Sequence, residues 1–206
     1  MTPLSEQRII PLAVPETPAE VDALGTGLSA GGIGAVEIGL RHPAALDAVR
    51  GLAADGRLLV GAGTVRSAAQ ADAAALAGAA FLVSPGLSAD VVRRAAELDL
   101  PIIPGVASAS DIMRAVDLGV RVVKLFPAHL LGGLAALDAF HAVFPDVRFV
   151  PSGGVSQDTL AEYLAHPAVA AVSGSWITSE RVLAGGAAAV AAAARRAAAT
   201  VDEAAR

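Results

Sequence analysis

The sequence predicts a (β/α)8 barrel of the TIM type, a single compact α/β domain over residues 1–206. Eight short runs of β-branched and leucine residues alternate with alanine-rich helical patterns along the chain. The runs are almost continuously apolar, as strands covered on both faces by helices require. Polar or small residues recur at their carboxyl ends. At 206 residues the chain can fill one sizeable core and is short for two. The main rival is an open doubly wound sheet, which would bring only two or three of those strand ends together.

The runs are IIPLAV (9–14), AVEIGL (35–40), LLVGAG (58–63), AFLVSP (80–85), PIIPGV (101–106), RVVKLF (121–126), RFVPSG (148–153) and AAVSGS (170–175). Thr17-Pro18-Ala19-Glu20 opens the first helix as a capping box with proline at the first helical position. Ser67 with Gln70 and Ser108 with Asp111 repeat the spacing. Gly78 and Gly119 close helices just before the next strand. The alanine-rich end, about residues 180–205, reads as a C-terminal surface helix, its apolar stretch too short and small-sided to span a bilayer.

Composition removes several functions. The net charge is −5 with no basic run, so no nucleic-acid footprint is present, and an anionic ligand has to be gripped locally. No membrane partner is expected. The absence of cysteine removes disulfides, thiolate metal sites and cysteine nucleophiles, and fits a reducing cytoplasm. MTPLSEQRII lacks a basic region followed by an apolar segment, so no secretory signal is expected. His42, His129, His141 and His166 show no ligand spacing, and neither a metal nor a cofactor is expected.

The strand ends carry Glu37, Thr64, Ser84, Pro104, Lys124, Ser152 and Gly174, spaced 20 to 28 residues apart, about one βα unit each time. In a barrel they converge on the carboxyl face, where such folds place their sites. Lys124 is the only lysine, against fourteen arginines. A free amine ionises near pH 10.4, whereas a guanidinium stays protonated. A lone lysine inside an apolar strand therefore reads as an imine-forming nucleophile, or else as one half of a buried ion pair. Glu37 reads as a general acid/base, as an ion-pair partner of Lys124 or Arg41, or as both. Arg41, four residues on, suits bidentate binding of a carboxylate, or is a plain loop arginine. Gly61-Ala62-Gly63-Thr64 lets a ligand approach the backbone, with the Thr64 hydroxyl beside it, or else is a plain tight turn. Ser152-Gly153-Gly154 and Ser173-Gly174-Ser175 follow strands seven and eight, where barrels bind phosphate on backbone amides, or else are two turns that need glycine only for their backbone angles.

Taken in order, VEIGLRHP, GAGTV, VSPG, PGVAS, VKLFPA, PSGGV and SGSW resemble the family of 2-dehydro-3-deoxy-phosphogluconate (KDPG) aldolase and 4-hydroxy-2-oxoglutarate (KHG) aldolase, from about Ile9 to Trp176. The resemblance implies a metal-free class I aldolase on a (β/α)8 barrel, a homotrimer acting on a small, phosphorylated keto acid. It implies that Lys124 forms the imine with pyruvate and that Glu37 moves protons through water. Arg41 and Thr64 would hold the pyruvate carboxylate, with Phe126 beside it and Pro85 of VSPG at the wall. Gly153, Gly154, Gly174 and Ser175 would bind the distal phosphate, and Ser152 would face the middle of the substrate. The chain departs from the family pattern at Gly39, Ser152 and Ser173, at His129, and in Leu12-Ala13-Val14-Pro15, where many members carry an arginine.

The expected reaction is aldol cleavage of 2-dehydro-3-deoxy-6-phosphogluconate to pyruvate and glyceraldehyde 3-phosphate. Alternatives keep the imine on 4-hydroxy-2-oxoglutarate, on the galactose-series epimer or in oxaloacetate decarboxylation. From another class, the chain would be a non-catalytic barrel that binds a phosphate ligand.

Overall fold

In a computed structural model that describes residues 3–204, each of the eight apolar runs carries a parallel strand. Met1, Thr2, Ala205 and Arg206, at the limits of the expected domain and of the expected 180–205 helix, lie outside the described residues. The elements are β1 (Ile9–Ala13), α1 (Pro18–Ala30), β2 (Ala35–Gly39), α2 (Ala45–Asp55), β3 (Leu59–Gly63), α3 (Ala68–Leu76), β4 (Phe81–Val83) and α4 (Ala89–Glu97). The fifth run gives β5 (Ile102–Ile103) and β6 (Gly105–Val106), parted at Pro104, which has no N–H for the ladder. Then come α5 (Ala109–Asp117), β7 (Val122–Leu125), α6 (Leu134–Val143), β8 (Arg148–Pro151), α7 (Leu160–Ala165), β9 (Val172–Gly174), α8 (Glu180–Ala184) and α9 (Gly186–Ala204).

The fold is α/β with a curled parallel sheet. Six strands pair in the order β5-β4-β3-β2-β1-β9 and three in the order β6-β7-β8. Isolated parallel bridges, Phe149 to Val169 and Ser152 to Ser173, link the β8 region to that of β9. Leu24, Leu28, Ile38, Leu125, Phe149 and Ile177 are fully buried in the main core. Ile10, Phe81, Val83, Ile103, Val150 and Ala171 form a second cluster, drawn from strands of both sheets. Among the described residues no helix is long and apolar enough to cross a membrane.

The helix starts follow local chemistry. Thr17 accepts from the Glu20 N–H while Glu20 accepts from Thr17 N–H, and Ser67 and Ser108 cap α3 and α5 from the Gln70 and Asp111 N–H groups. Gly78 and Gly119 have φ of +89° and +81°, left-handed values that end a helix at little cost only for glycine.

The C-terminal region departs from a plain surface helix. It divides at Gly185 into α8 and α9, and α9 buries Val190, Ala194 and Ala197 completely. The cause is α1. A Cβ built on Gly27 would lie 2.5 Å from the Val190 Cβ, and one on Gly31 would lie 2.3 Å from the Ala194 Cβ. Two glycines one helical turn apart thus let α9 approach until its small side chains touch the α1 backbone. The alanines are packing groups as well as helix formers.

Candidate active site

Parallel strands with helices outside direct their carboxyl ends to one face, and there a cavity of about 760 Å³ opens. Arg41, Thr64, Pro85, Lys124 and Phe126 line it, as do Ser152, Gly153, Gly154, Gly174 and Ser175. Arg41 and Ser175, 134 positions apart in the chain, thus share one cavity.

Lys124 lies on β7, in register with Gly105 of β6 and Val150 of β8. Only 5 % of it is exposed. Its Nζ donates to Glu37 Oε1 at 3.1 Å and Oε2 at 3.3 Å, and stands 5.6 Å from the centre of the Phe126 ring. A charge this deep requires such partners, because an unpaired ammonium in low dielectric costs several kcal/mol. The sequence left two partners open for Glu37, and the geometry selects Lys124.

Glu37 is 1 % exposed and does not itself line the cavity; it is met through Lys124. It occupies space that β3 leaves empty, since a Cβ on Gly63 would fall 2.2 Å from Glu37 Oε1. The neighbouring Gly61 is needed for the same reason, its Cβ position lying 2.2 Å from the Phe81 ring. This corrects the reading of Gly61-Ala62-Gly63 as a surface for ligand approach: its two glycines make room for side chains of the protein. Thr64, next in line, does face the cavity, and its φ of +59° is a strained value for a β-branched residue.

Farther along the cavity lining, Gly153 and Gly154 have φ of +86° and +90°. A Cβ on Gly154 would lie 2.3 Å from the His129 Cβ, so His129 takes its place against glycine backbone, while its N–H donates to the Gly153 carbonyl at 2.9 Å. Gly174 is likewise covered by the Trp176 ring, 2.4 Å from its absent Cβ. Ser173, on β9, separates from the two residues that follow it: Gly174 and Ser175 face the cavity, whereas the Ser173 hydroxyl is buried and donates to Glu37 Oε2 at 3.3 Å.

Sequence reasoning missed the wall formed by Leu12, Val14, Glu16 and Glu20 with Thr178 and Glu180. The signal was present in the circular order of the strands. β1 pairs with β9, so the segments after them are neighbours, and the Thr178 hydroxyl donates to the Leu12 carbonyl at 2.5 Å. The wall brings carboxylates into a cavity whose lining cations are Arg41 and Lys124.

Fold and site together define a class: parallel α/β proteins that hold one lysine amine against a buried carboxylate beside a cavity at the carboxyl ends of the strands, an arrangement that suits Schiff-base chemistry. The KDPG and KHG aldolase family matches residues 2–193. The 2-dehydro-3-deoxy-phosphogluconate aldolase of Pseudomonas aeruginosa is 45 % identical over 86 % of this chain and 81 % of its own. The KHG/KDPG aldolase of Escherichia coli is 37 % identical over 82 % and 80 %. The crystal structure of the Zymomonas mobilis 2-keto-3-deoxy-6-phosphogluconate aldolase with 3-phosphoglycerate superposes with a TM-score of 0.89 at 38 % identity, over 95 % of this chain and 93 % of that one. The Legionella pneumophila KDPG aldolase, with pyruvate captured as a covalent carbinolamine, gives 0.89 at 35 % over 93 % and 94 %. The chain belongs to the KDPG and KHG aldolase family.

Proposed function

We propose that this protein is a class I aldolase that cleaves 2-dehydro-3-deoxy-6-phosphogluconate to pyruvate and glyceraldehyde 3-phosphate through an imine on Lys124. The observation that carries the reading is the buried pair itself, the Lys124 amine 3.1 Å from Glu37 at the floor of the cavity. Lys124 Nζ adds to the substrate ketone, and loss of water leaves a protonated imine. Glu37, set back from the cavity, takes the C4 hydroxyl proton through a water, the C3–C4 bond breaks, and its electrons pass into the imine to give an enamine. Glyceraldehyde 3-phosphate leaves. Glu37 returns a proton to the enamine carbon, and water releases pyruvate from Lys124. The pyruvate carbinolamine captured in the Legionella relative supports the covalent addition step.

The remaining roles are those the family resemblance implies, supported by the place of each residue on the cavity lining. Arg41 and Thr64 hold the pyruvate carboxylate, Pro85 and Phe126 enclose it, and Ser152 faces the middle of the chain. Gly153, Gly154, Gly174 and Ser175 bind the phosphate through backbone amides and a hydroxyl, which suits a wall with no arginine on its glycine side. The scaffold is a single closed (β/α)8 barrel. Its closure is supported by the bridges between the β8 and β9 regions, by the pairing of β9 with β1, and by the cluster that draws on strands of both sheets.

Borohydride added with pyruvate should fix a pyruvyl group on Lys124, read by peptide mass; an unmodified Lys124 peptide would overturn the proposal. A second reading keeps the imine and takes 4-hydroxy-2-oxoglutarate, favoured by the double name of the Escherichia coli relative. Relative kcat/KM on the phosphorylated and unphosphorylated keto acids separates the two, because a phosphate subsite acts only on the first. The reading also includes a cytoplasmic homotrimer. Leu76, Leu130 and Val143 stand largely exposed, and a similar chain, 29 % identical, serves in a cage designed by fusing symmetric oligomeric domains.

A further inference from the structure

We infer that Ser173 is a positioning residue that holds the Glu37 carboxylate while Lys124 changes from amine to imine. The inference rests on the aldolase reading. Glu37 receives hydrogen bonds from two directions: from Lys124 Nζ on β7, to both oxygens, and from Ser173 Oγ on β9, to Oε2 at 3.3 Å. The other neighbours of β2 supply no donor to this carboxylate among the described residues. β1 places the apolar Leu12 in register with Glu37, and β3 offers Gly63, whose missing side chain gives the carboxylate its space.

The two donors differ in what turnover does to them. An ammonium has three N–H bonds and can span both oxygens, but an imine nitrogen has at most one, and it is tied to the substrate. The grip of Lys124 on Glu37 is therefore lost or halved when Glu37 has to move protons. The Ser173 hydroxyl is untouched by that change. It is 1 % exposed, and its strand is fixed on both sides, by Ile10 of β1 and by the bridge to Ser152. A buried hydroxyl anchored on two strands keeps a carboxylate within the few tenths of an ångström that proton transfer tolerates. Ser173 does not line the cavity, so it acts through Glu37 and contributes no direct hold on substrate.

The experiment compares wild type with Ser173→Ala and Ser173→Thr. One assay is exchange of the pyruvate methyl protons with D2O, which needs only the imine and proton transfer. The other is cleavage of 2-dehydro-3-deoxy-6-phosphogluconate. Ser173→Ala should lower kcat roughly tenfold in both assays, the loss of one hydrogen bond to a charged group, with KM within about twofold. Borohydride trapping of pyruvate on Lys124 should persist, and Ser173→Thr, which keeps the hydroxyl, should recover most of the rate. If wild type neither exchanges nor traps pyruvate, the aldolase reading fails. If wild type does both, the inference fails alone should Ser173→Ala keep the wild-type kcat, or should Ser173→Thr, folded by circular dichroism, be as slow as Ser173→Ala.

Discussion

Lys124 and Glu37 are each paired in a place where neither could stand alone, and this makes the pair a test of stability as well as of chemistry. Lys124→Met should cost about 3 to 5 kcal/mol in a denaturant titration, because it leaves an uncompensated buried carboxylate. Adding Glu37→Gln to Lys124→Met should recover much of that loss; a double variant no more stable than the single one would show that the pair is not coupled. For activity, Glu37→Gln should lower cleavage by about two to four orders of magnitude while borohydride still captures pyruvate on Lys124, since nitrogen attack and proton transfer are separate tasks. Gly154→Ala meets both an unfavourable φ and the His129 Cβ, so it should lose about 1 to 3 kcal/mol and raise KM for the phosphorylated substrate more than for pyruvate. At this scale the sequence was readable where chemistry is rare. A single lysine and a carboxylate within apolar runs were conspicuous, whereas Ser173 looked like one more loop serine, because its partner Glu37 is 136 residues away.

Helix ends are local devices, and they were legible because each involves residues three or four apart. Thr17→Ala should cost about 1 kcal/mol, seen as a lower urea midpoint at unchanged slope. The contact between α1 and α9 is a different kind of fact. Alanine is the better helix former by about 1 kcal/mol in a helix interior, so propensity alone says that Gly27→Ala stabilises α1, while Gly31→Ala, at its C-cap, lies outside that rule. Packing says the reverse, since each new Cβ would enter α9, and overpacking typically costs about 1 to 3 kcal/mol. We expect both variants to melt below wild type; a rise in Tm would mean that α9 moves aside freely. Nothing in the alanine-rich tail shows which helix receives it, because a pattern of small residues has no direction until a partner is present.

For the molecule as a whole, the circular order of parallel strands decides which loops share the cavity. The proposed homotrimer belongs to this scale: sedimentation equilibrium should give three chain masses, and a single chain mass would remove that part of the reading. Length, the alternation of apolar runs with capped helices, and the polar and glycine residues at and just after strand ends established the α/β class and named eight of the residues that line the cavity, while Pro85 and Phe126 came only from the family resemblance. Those are properties of spacing, and spacing is written in the chain. Only the tertiary structure decided that Glu37 pairs with Lys124, that the Gly61 and Gly63 positions are filled by Phe81 and Glu37, that Ser173 turns inward, and that the segments after β1 and β9 share a wall. Each of these depends on distances between residues far apart in sequence, which exist only once packing has fixed which side chain enters which space.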